Sequence, residues 1–182
     1  ARDSLSELDQ KRVTIFDSRE ASCGQALMAH KAVELAREGK SILEILGHLN
    51  ELKERIKLFG CPKGVEYLIS GGRLRGFKAE AAKLFQAIGA HPKLYLKNGR
   101  IKSAGLLPEF GDFAQSLSSC ITADGRRGVF AAISHGQMKK KAEELSYLLK
   151  RQGVRVLFTE QLNRVVGVHT GPALLVAWYE EY

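Results

Sequence analysis

The stretch VVGVHTGPALLVAWY, residues 165 to 179, places a histidine, a threonine, two glycines and a proline between two apolar runs. The run RVVGVH predicts a last buried strand, and Pro172 suits the first turn of a closing helix. Residues at strand ends in open α/β sheets face the ligand crevice, and a helix starting at Gly171 would aim free N–H groups there. This pattern favours a site in which His169 and Thr170 hold a carboxylate or phosphate.

The alternative for His169 is a structural role, as a histidine whose hydrogen bonds are satisfied at the end of a strand. The flanking Gly167 and Gly171 favour a ligand-binding role over this alternative. His135 occupies a parallel position, after FAAIS and before a glycine. It could line the same crevice, but a structural role is the simpler explanation of one histidine after a strand.

Upstream of this stretch, the pattern is that of an α/β protein. GVFAAISHG predicts a buried strand, QMKKKAEELSYLLKRQG a helix and VRVLF a strand, a βαβ unit that favours parallel pairing. KLYLKNGRIK predicts a hairpin, since Asn98-Gly99 suits a type I′ turn. Helical spacing predicts two more helices, one from about Phe77 to Gly89 and one containing Phe113, Leu117 and Ile121.

The first part of the chain predicts one strand and two helices. VTIF, residues 13 to 16, has the pattern of a short buried strand. A helix is predicted from an N-cap at Ser22, and a second follows a capping box at Ser41 and continues to near Gly60. Because these elements are too few to close a sheet, we expect residues 1–62 to be the remainder of an N-terminal α/β domain and residues 63–182 to form a C-terminal one.

Composition excludes several classes of protein. The 182 residues contain no apolar run near the ~20 needed to span a bilayer, and the three cysteines form no CxxC pair. A cytoplasmic protein without disulfides is therefore predicted. The formal charge of +8 is dispersed, and its densest run, Lys139 to Lys141, lies beside glutamates, which favours a solvated helix face over nucleic-acid binding. An acidic partner or a lipid surface would suit the charge equally well.

The segment SGGRLRG offers a second candidate site. Gly71 and Gly72 would let backbone approach an anion closely, and Arg73 could then bind a carboxylate or phosphate; an exposed turn with ordinary arginines is an equal alternative. Neither the phosphate loop GxxxxGK[ST] nor GxGxxG occurs, so no nucleotide cofactor is predicted, and no histidine spacing indicates a metal. Around Ser22 and Gln25, a local helix cap explains the polar residues at least as well as a site.

Four motifs in order, DSREASCGQA, VEYLISGGRL, HPKLYLKNGRI and GVHTGPALLVAWY, resemble the DegV family of bacterial fatty-acid-binding proteins. The resemblance covers nearly the whole chain from about Val13. It implies two α/β domains, the C-terminal one with a mixed sheet, and a tunnel between them that buries one long-chain fatty acid. It also implies a carrier rather than an enzyme, which presents the carboxylate to the ATP-binding subunit of a fatty acid kinase. The acyl-phosphate feeds phospholipid synthesis, and a transient membrane contact would fit that role.

The resemblance carries over to particular residues. His169 matches the histidine that the family places at the carboxylate. A supporting or partner-contact role is implied for residues matching the family's other motifs: Ser22, Gly24, Gln25, Gly71, Gly72, Arg73, Thr170 and Gly171. The family also has an N-terminal segment before the strand matched by VTIF, to which no residue here corresponds, and we therefore expect an incomplete N-terminal domain.

An enzymatic alternative also follows from the residues. It is a small-molecule phosphotransferase or hydrolase that uses His135 and His169 across one crevice. It would need a nucleotide or metal site, for which the sequence has no motif.

Overall fold

A computed structural model of the chain describes residues 2–64, 66–70, 72, 91–107, 113–122 and 128–181. After a short 3-10 turn at Arg2–Ser4, the helices are α1 (Glu7–Arg12), α2 (Ser22–Arg37), α3 (Ile42–Arg55), α4 (Glu66–Ser70), α5 (Phe113–Thr122), α6 (Lys139–Arg151) and α7 (Arg164–Thr170). The strands are β1 (Lys57–Pro62), β2 (His91–Lys97), β3 (Arg100–Leu107), β4 (Val129–Gly136), β5 (Arg155–Gln161) and β6 (Ala173–Glu180). The predicted helix at 77–89 lies outside the described residues.

The six described strands form one mixed sheet in the order β3-β2-β1-β6-β4-β5. Strands β4 and β5 are parallel and joined by α6, which confirms the predicted βαβ unit, while the other pairs are antiparallel. The β2–β3 hairpin is also confirmed, since Asn98 and Gly99 have φ of 52° and 70°, as a type I′ turn requires. The α/β class with a mixed sheet is therefore established.

Helices cover both faces of the sheet. One core cluster joins α5 and α6 to side chains such as Leu174 and Val176, and the other joins α2 and α3 to Leu175 and Ala177. Successive β6 side chains point to opposite faces, so a strand buried on both sides needs a continuous apolar sequence. The run ALLVAWY is this central strand.

At α3, the predicted capping box is present, but the predicted end of the helix is wrong. Ser41 Oγ accepts a hydrogen bond from the Glu44 N–H at 3.3 Å, and a Glu44 carboxylate oxygen accepts one from the Ser41 N–H at 2.8 Å, which confirms the capping box. The helix ends at Arg55 rather than near Gly60. Residues 57–62 form β1 instead, because β2 and β6 supply hydrogen-bonding partners on both sides.

In the stretch at residues 165–179, a helix precedes a strand, whereas the sequence predicted a strand followed by a helix. Residues 164–170 form helix α7, whose N-cap Asn163 accepts a hydrogen bond from the Val166 N–H at 2.9 Å. Residues 173–180 are strand β6 rather than a closing helix. The predicted strand at VTIF is also wrong: it is not a strand, Ile15 is 71% exposed, and no strand within the described residues pairs with it.

The predicted division at residue 62 stays a prediction. Strand β1, which ends at Pro62, pairs with β2 on one side and β6 on the other. Helices α2 and α3 pack against this same sheet. Among the described residues, therefore, elements on both sides of residue 62 share one sheet and one core.

The basic run on α6 is partly neutralised by its own helix. Lys139 Nζ lies 3.9 Å from a carboxylate oxygen of Glu143, and Lys141 Nζ lies 2.7 Å from one of Glu144. This geometry is that of a solvated helix face. In the part of the chain that the structure describes, no helix is both long and apolar enough to cross a membrane.

Candidate functional site

An apolar cavity of about 100 Å³ lies against the middle of the sheet. Its walls include Leu58 and Gly60 of β1, Leu94 of β2 and Leu175 of β6. Gly60 leaves room there, since a Cβ at this position would lie 3.3 Å from Leu175 Cγ. The pairing of β1 with β2 on one side and with β6 on the other thus creates a hollow with almost no polar surface, which suits a hydrocarbon ligand.

Helices α4 and α7 border the same cavity. Leu68 of α4 and Val166 and Thr170 of α7 line it, together with Ala21 at the start of α2. The Thr170 hydroxyl lies within hydrogen-bonding distance of the Val166 and Gly171 carbonyl oxygens, at 3.2 and 3.3 Å. Thr170 therefore presents its apolar side to the cavity while its hydroxyl bonds to backbone.

His169 lies in the last turn of α7 and is half-buried. The prediction that it follows a strand is wrong, because it ends a helix and the strand comes after it. Its helix neighbours Val166 and Thr170 line the cavity, whereas His169 is not one of the described residues in the cavity wall. The histidine therefore lies next to a lining residue, and its contact with a carboxylate stays a prediction.

The turn after His169 is held by contacts on two sides. Gly171 has φ 60° and ψ −150°, a backbone conformation that is essentially restricted to glycine. The Tyr67 ring of α4 lies so close that a Cβ on Gly171 would be 2.3 Å from Tyr67 Cδ2. The Pro172 carbonyl oxygen accepts a hydrogen bond from the Lys63 N–H at 2.7 Å, just after β1. The turn is thus fixed to α4 and to the end of β1.

The motif at residues 17–26 forms a tight entry to α2. Ser22 is the first helical residue rather than the predicted N-cap, which is Ala21. Ser22 lines a separate open cleft of about 460 Å³ at the carboxyl ends of β4 and β5, while Gln25 is exposed. Gly24 is buried, and a Cβ on it would collide with the Glu20 carboxylate. Of these predicted site residues, none is among the described residues lining the apolar cavity.

The remaining candidates are only partly described. Gly71 and Arg73 lie outside the described residues, whereas Gly72 is an exposed turn residue with φ 65° whose N–H bonds to the Ile69 carbonyl at 3.0 Å. His135 lies near the end of β4, and its Nδ1 is buried with no hydrogen-bond partner among the described residues. Like His169, it is not one of the cavity-lining residues. The alternative crevice between the two histidines stays a prediction.

Burial raises the pKa of three ionisable side chains on this side of the molecule, Glu20, Cys23 and Cys61. Desolvation raises the pKa of Glu20 to about 7, although a hydrogen bond from the Ala21 backbone lowers it. Desolvation likewise raises the pKa of Cys23 and of the cavity-lining Cys61 to about 12, so both thiols are neutral. Within the described residues, no group of three His, Cys, Asp or Glu side chains could hold a metal.

The cavity walls and Glu20 were not predicted from the sequence. The walls could have been found from IKLFGCP, an apolar run after a well-marked helix, although its glycine and proline indicate a helix end instead. Glu20 carries no signal in the sequence, because its burial arises only when α2 packs beside Leu58 of β1.

The fold and the cavity define a class of protein: an α/β protein whose mixed sheet borders a small apolar cavity next to the end of a surface helix. The family model described as "Uncharacterised protein, DegV family" matches residues 1–181, and the chain belongs to the DegV family.

Two curated relatives match nearly the whole of this chain but only part of their own length. The DegV domain-containing protein CPE0026 of Clostridium perfringens is 26% identical over 92% of this chain and 58% of its own length. The DegV domain-containing protein YejH of Lactococcus lactis is 29% identical over 94% of this chain and 60% of its own length. The chain therefore spans about three fifths of these relatives.

Solved structures of the family have the same fold. A DegV family protein from Thermus thermophilus, described as fatty acid binding, superposes with a TM-score of 0.80 at 26% identity, covering 93% of this chain and 61% of the other. One from Eubacterium eligens, loaded with heptadecanoic acid, gives a TM-score of 0.82 at 17% identity, covering 95% and 63%. The second likeness is one of fold alone.

Proposed function

We propose that this chain is a lipid carrier that buries part of a long-chain fatty acid and holds the carboxylate near His169. The observation that carries the proposal is the apolar cavity lined by Thr170 and Ala173, the residues on either side of Gly171 and Pro172. Fatty-acid binding by the relative from Thermus thermophilus supports it. Each buried methylene contributes roughly 0.8 kcal/mol, so the tail provides most of the affinity.

The cavity is smaller than a complete acyl site. Ligand pockets usually measure roughly 300–1,000 Å³, whereas this one measures about 100 Å³. The described residues therefore form one section of the site, and the rest of the acyl chain needs walls supplied from elsewhere. Ala21, Val166 and Thr170 lie around this section, which places the start of α2 and the end of α7 at its border.

The head group needs only a few polar partners. A carboxylate beside His169 favours the imidazolium, which forms a charge-assisted hydrogen bond with it. In this proposal the chain does no chemistry of its own: a separate ATP-using kinase subunit phosphorylates the exposed carboxylate, and the product serves phospholipid synthesis. A cytoplasmic location with transient membrane contact suits such a carrier.

Three measurements test the proposal. Mass spectrometry of an organic extract of the purified chain should find a fatty acid, and equilibrium dialysis with radiolabelled hexadecanoic acid should give saturable binding. His169→Ala should weaken that binding by about 10- to 100-fold, the effect of losing a hydrogen bond to a charged group. It should also lower phosphorylation when the kinase subunit is added.

His48→Ala is the matched control, because His48 is exposed on α3. It should leave binding unchanged, and both variants should retain the wild-type circular dichroism spectrum. Wild-type binding by His169→Ala would remove this residue from the site. A chain that takes up no fatty acid under any condition would refute the proposed function itself.

A further inference from the structure

Glu20 is partly buried beside the apolar cavity, and one of its carboxyl oxygens has no partner among the described residues. Its Oε2 is inaccessible to solvent and has no hydrogen-bond partner among the described residues. A Cβ built on Gly24 would lie 2.3 Å from this oxygen and 3.1 Å from Leu58 Cδ1, so the carboxyl and Leu58 share the notch that Gly24 leaves in α2. Leu58 and Ala21, the residue after Glu20, both line the cavity.

This arrangement is unfavourable for a charged carboxylate. An ionised oxygen without a hydrogen bond in apolar surroundings costs several kcal/mol, and proteins usually avoid that cost by keeping the group neutral. The pKa of Glu20 is accordingly raised to about 7 by desolvation. At slightly acid pH the carboxyl is therefore an uncharged part of the packing between α2 and β1.

Among the described residues, the titratable groups near Glu20 do not offset its charge, and the hydrogen bond from the Ala21 backbone lowers its pKa by less than desolvation raises it. On α2 the neighbouring titratable group is the Cys23 thiol, whose pKa Glu20 raises further. On β1, Leu58 is apolar, and the exposed Lys57 precedes it, so that its side chain points to the opposite face of the strand. In the preceding segment, Asp17 and Arg19 are exposed, and Asp17 Oδ1 accepts a hydrogen bond from the Arg19 N–H at 3.0 Å.

We propose that Glu20 in its uncharged form completes the wall of the acyl site, and that its ionisation releases the acyl chain. To recover its hydration, the ionised oxygen leaves the notch between Gly24 and Leu58, and in this proposal the segment ending at Ala21 moves away with it. That movement opens the cavity at two of its lining residues and admits water. This inference rests on the proposed function and adds proton control of ligand retention to it.

The test is the pH dependence of hexadecanoic acid binding to the full chain. If only the protonated form retains ligand, a pKa of about 7 predicts that Kd rises by about thirtyfold between pH 6.0 and 8.5. A monomeric alkyl carboxyl has a pKa close to that of a Glu side chain, well below this window, so ligand kept in its monomeric form stays ionised throughout. Affinity should therefore be lost as pH rises.

Glu20→Gln keeps the shape of the side chain but cannot ionise. This variant should bind hexadecanoic acid with nearly constant Kd from pH 6.0 to 8.5, whereas Glu38→Gln, which alters an exposed carboxylate at the other end of α2, should behave as wild type. A change in Kd of about thirtyfold that persists in Glu20→Gln would assign the effect to another group and overturn the inference.

The outcomes separate the two proposals. Wild-type protein that binds equally at pH 6.0 and 8.5 overturns proton control and leaves the carrier function intact. Wild-type protein that fails to bind at pH 6.0 overturns both. A merely structural role for Glu20 would lower the stability of the variant without removing the pH profile, so the profile is the deciding measurement.

Discussion

Replacing Gly171 with alanine tests whether the turn below His169 is as constrained as its geometry indicates. The φ of 60° and ψ of −150° place this residue in a region where a side chain costs about 1–3 kcal/mol. The new methyl group would also overlap the Tyr67 ring, approaching Cδ2 to 2.3 Å. Tyr67 is 45% exposed and can swing outward, so its displacement should add only about 1 kcal/mol of lost packing.

The sum predicts that Gly171→Ala lowers the free energy of unfolding by about 3 kcal/mol. For a chain of this size each kcal/mol shifts Tm by about 2–4 °C, so Tm should fall by about 6–12 °C. Urea denaturation followed by tryptophan fluorescence measures the change, because the single tryptophan, Trp178, is 2% exposed in β6. Retention of hexadecanoic acid should fall as well, since the turn positions the end of α7.

Gly167→Ala is the matched control. Gly167 lies within α7 with open space around the position of a Cβ, so alanine should be neutral or stabilising by up to about 1 kcal/mol. In a Tyr67→Ala background the overlap disappears, and Gly171→Ala should cost only the backbone strain of about 2 kcal/mol. Equal stability of Gly171→Ala and wild type, or equal loss from both glycine changes, would refute the account.

Three smaller predictions concern α3, Glu20 and the thiols. Ser41→Ala should lower the free energy of unfolding by about 1 kcal/mol in urea, because the N-cap hydrogen bond is lost; no change would mean that the cap is not formed. Glu20→Gln should raise the free energy of unfolding by about 1–2 kcal/mol at pH 8 and leave it unchanged near pH 4. The raised pKa of about 7 makes the stability of the wild type fall as pH rises from 4.5 through 7, and solvent screening reduces the effect. An aromatic disulfide reagent at pH 7.5 should modify exposed Cys120 rapidly and reach Cys23 and Cys61 only on unfolding, because burial raises both their pKa values to about 12; rapid modification of all three would contradict their burial.

Local signals predicted the elements whose formation depends on nearby residues. The capping box at Ser41, the Asn98-Gly99 hairpin and the βαβ unit around α6 were all recoverable, because turn chemistry and helical spacing determine them within a few residues. The DegV family was recoverable for a different reason: four separated motifs occur in order. These signals are independent of the long-range pairing of the sheet.

The elements that were predicted wrongly are ones whose identity depends on distant partners. A continuous apolar run such as ALLVAWY suits a strand buried on both faces as well as it suits a buried helix, and periodicity cannot separate the two. The β-branched residues of RVVGVH indicated a strand. However, Asn163 before them is an ordinary N-cap residue at the start of a helix, and Gly171 after them is an ordinary residue at the end of one. VTIF has the composition of a strand, but a strand also requires a neighbour to pair with.

Because α7 precedes β6, the segment from His169 to Pro172, which separates the two apolar runs, has a different explanation from the predicted one. Strand β6 must be apolar throughout because both of its faces are buried, whereas α7 lies at the surface, where Val165 and Val168 are 72% and 64% exposed. The break is therefore the point at which a surface helix becomes a core strand, and Gly171 supplies the only sharp change of direction there. The Pro172 carbonyl accepts a hydrogen bond from the Lys63 N–H, and the Tyr67 ring packs beside Gly171. These two contacts fix the position of the last turn of α7 relative to the end of β1. A rigid turn at this position can hold a polar group at the border of the cavity without adding polar surface to its walls, which is the arrangement that an amphipathic ligand with a single charged end requires.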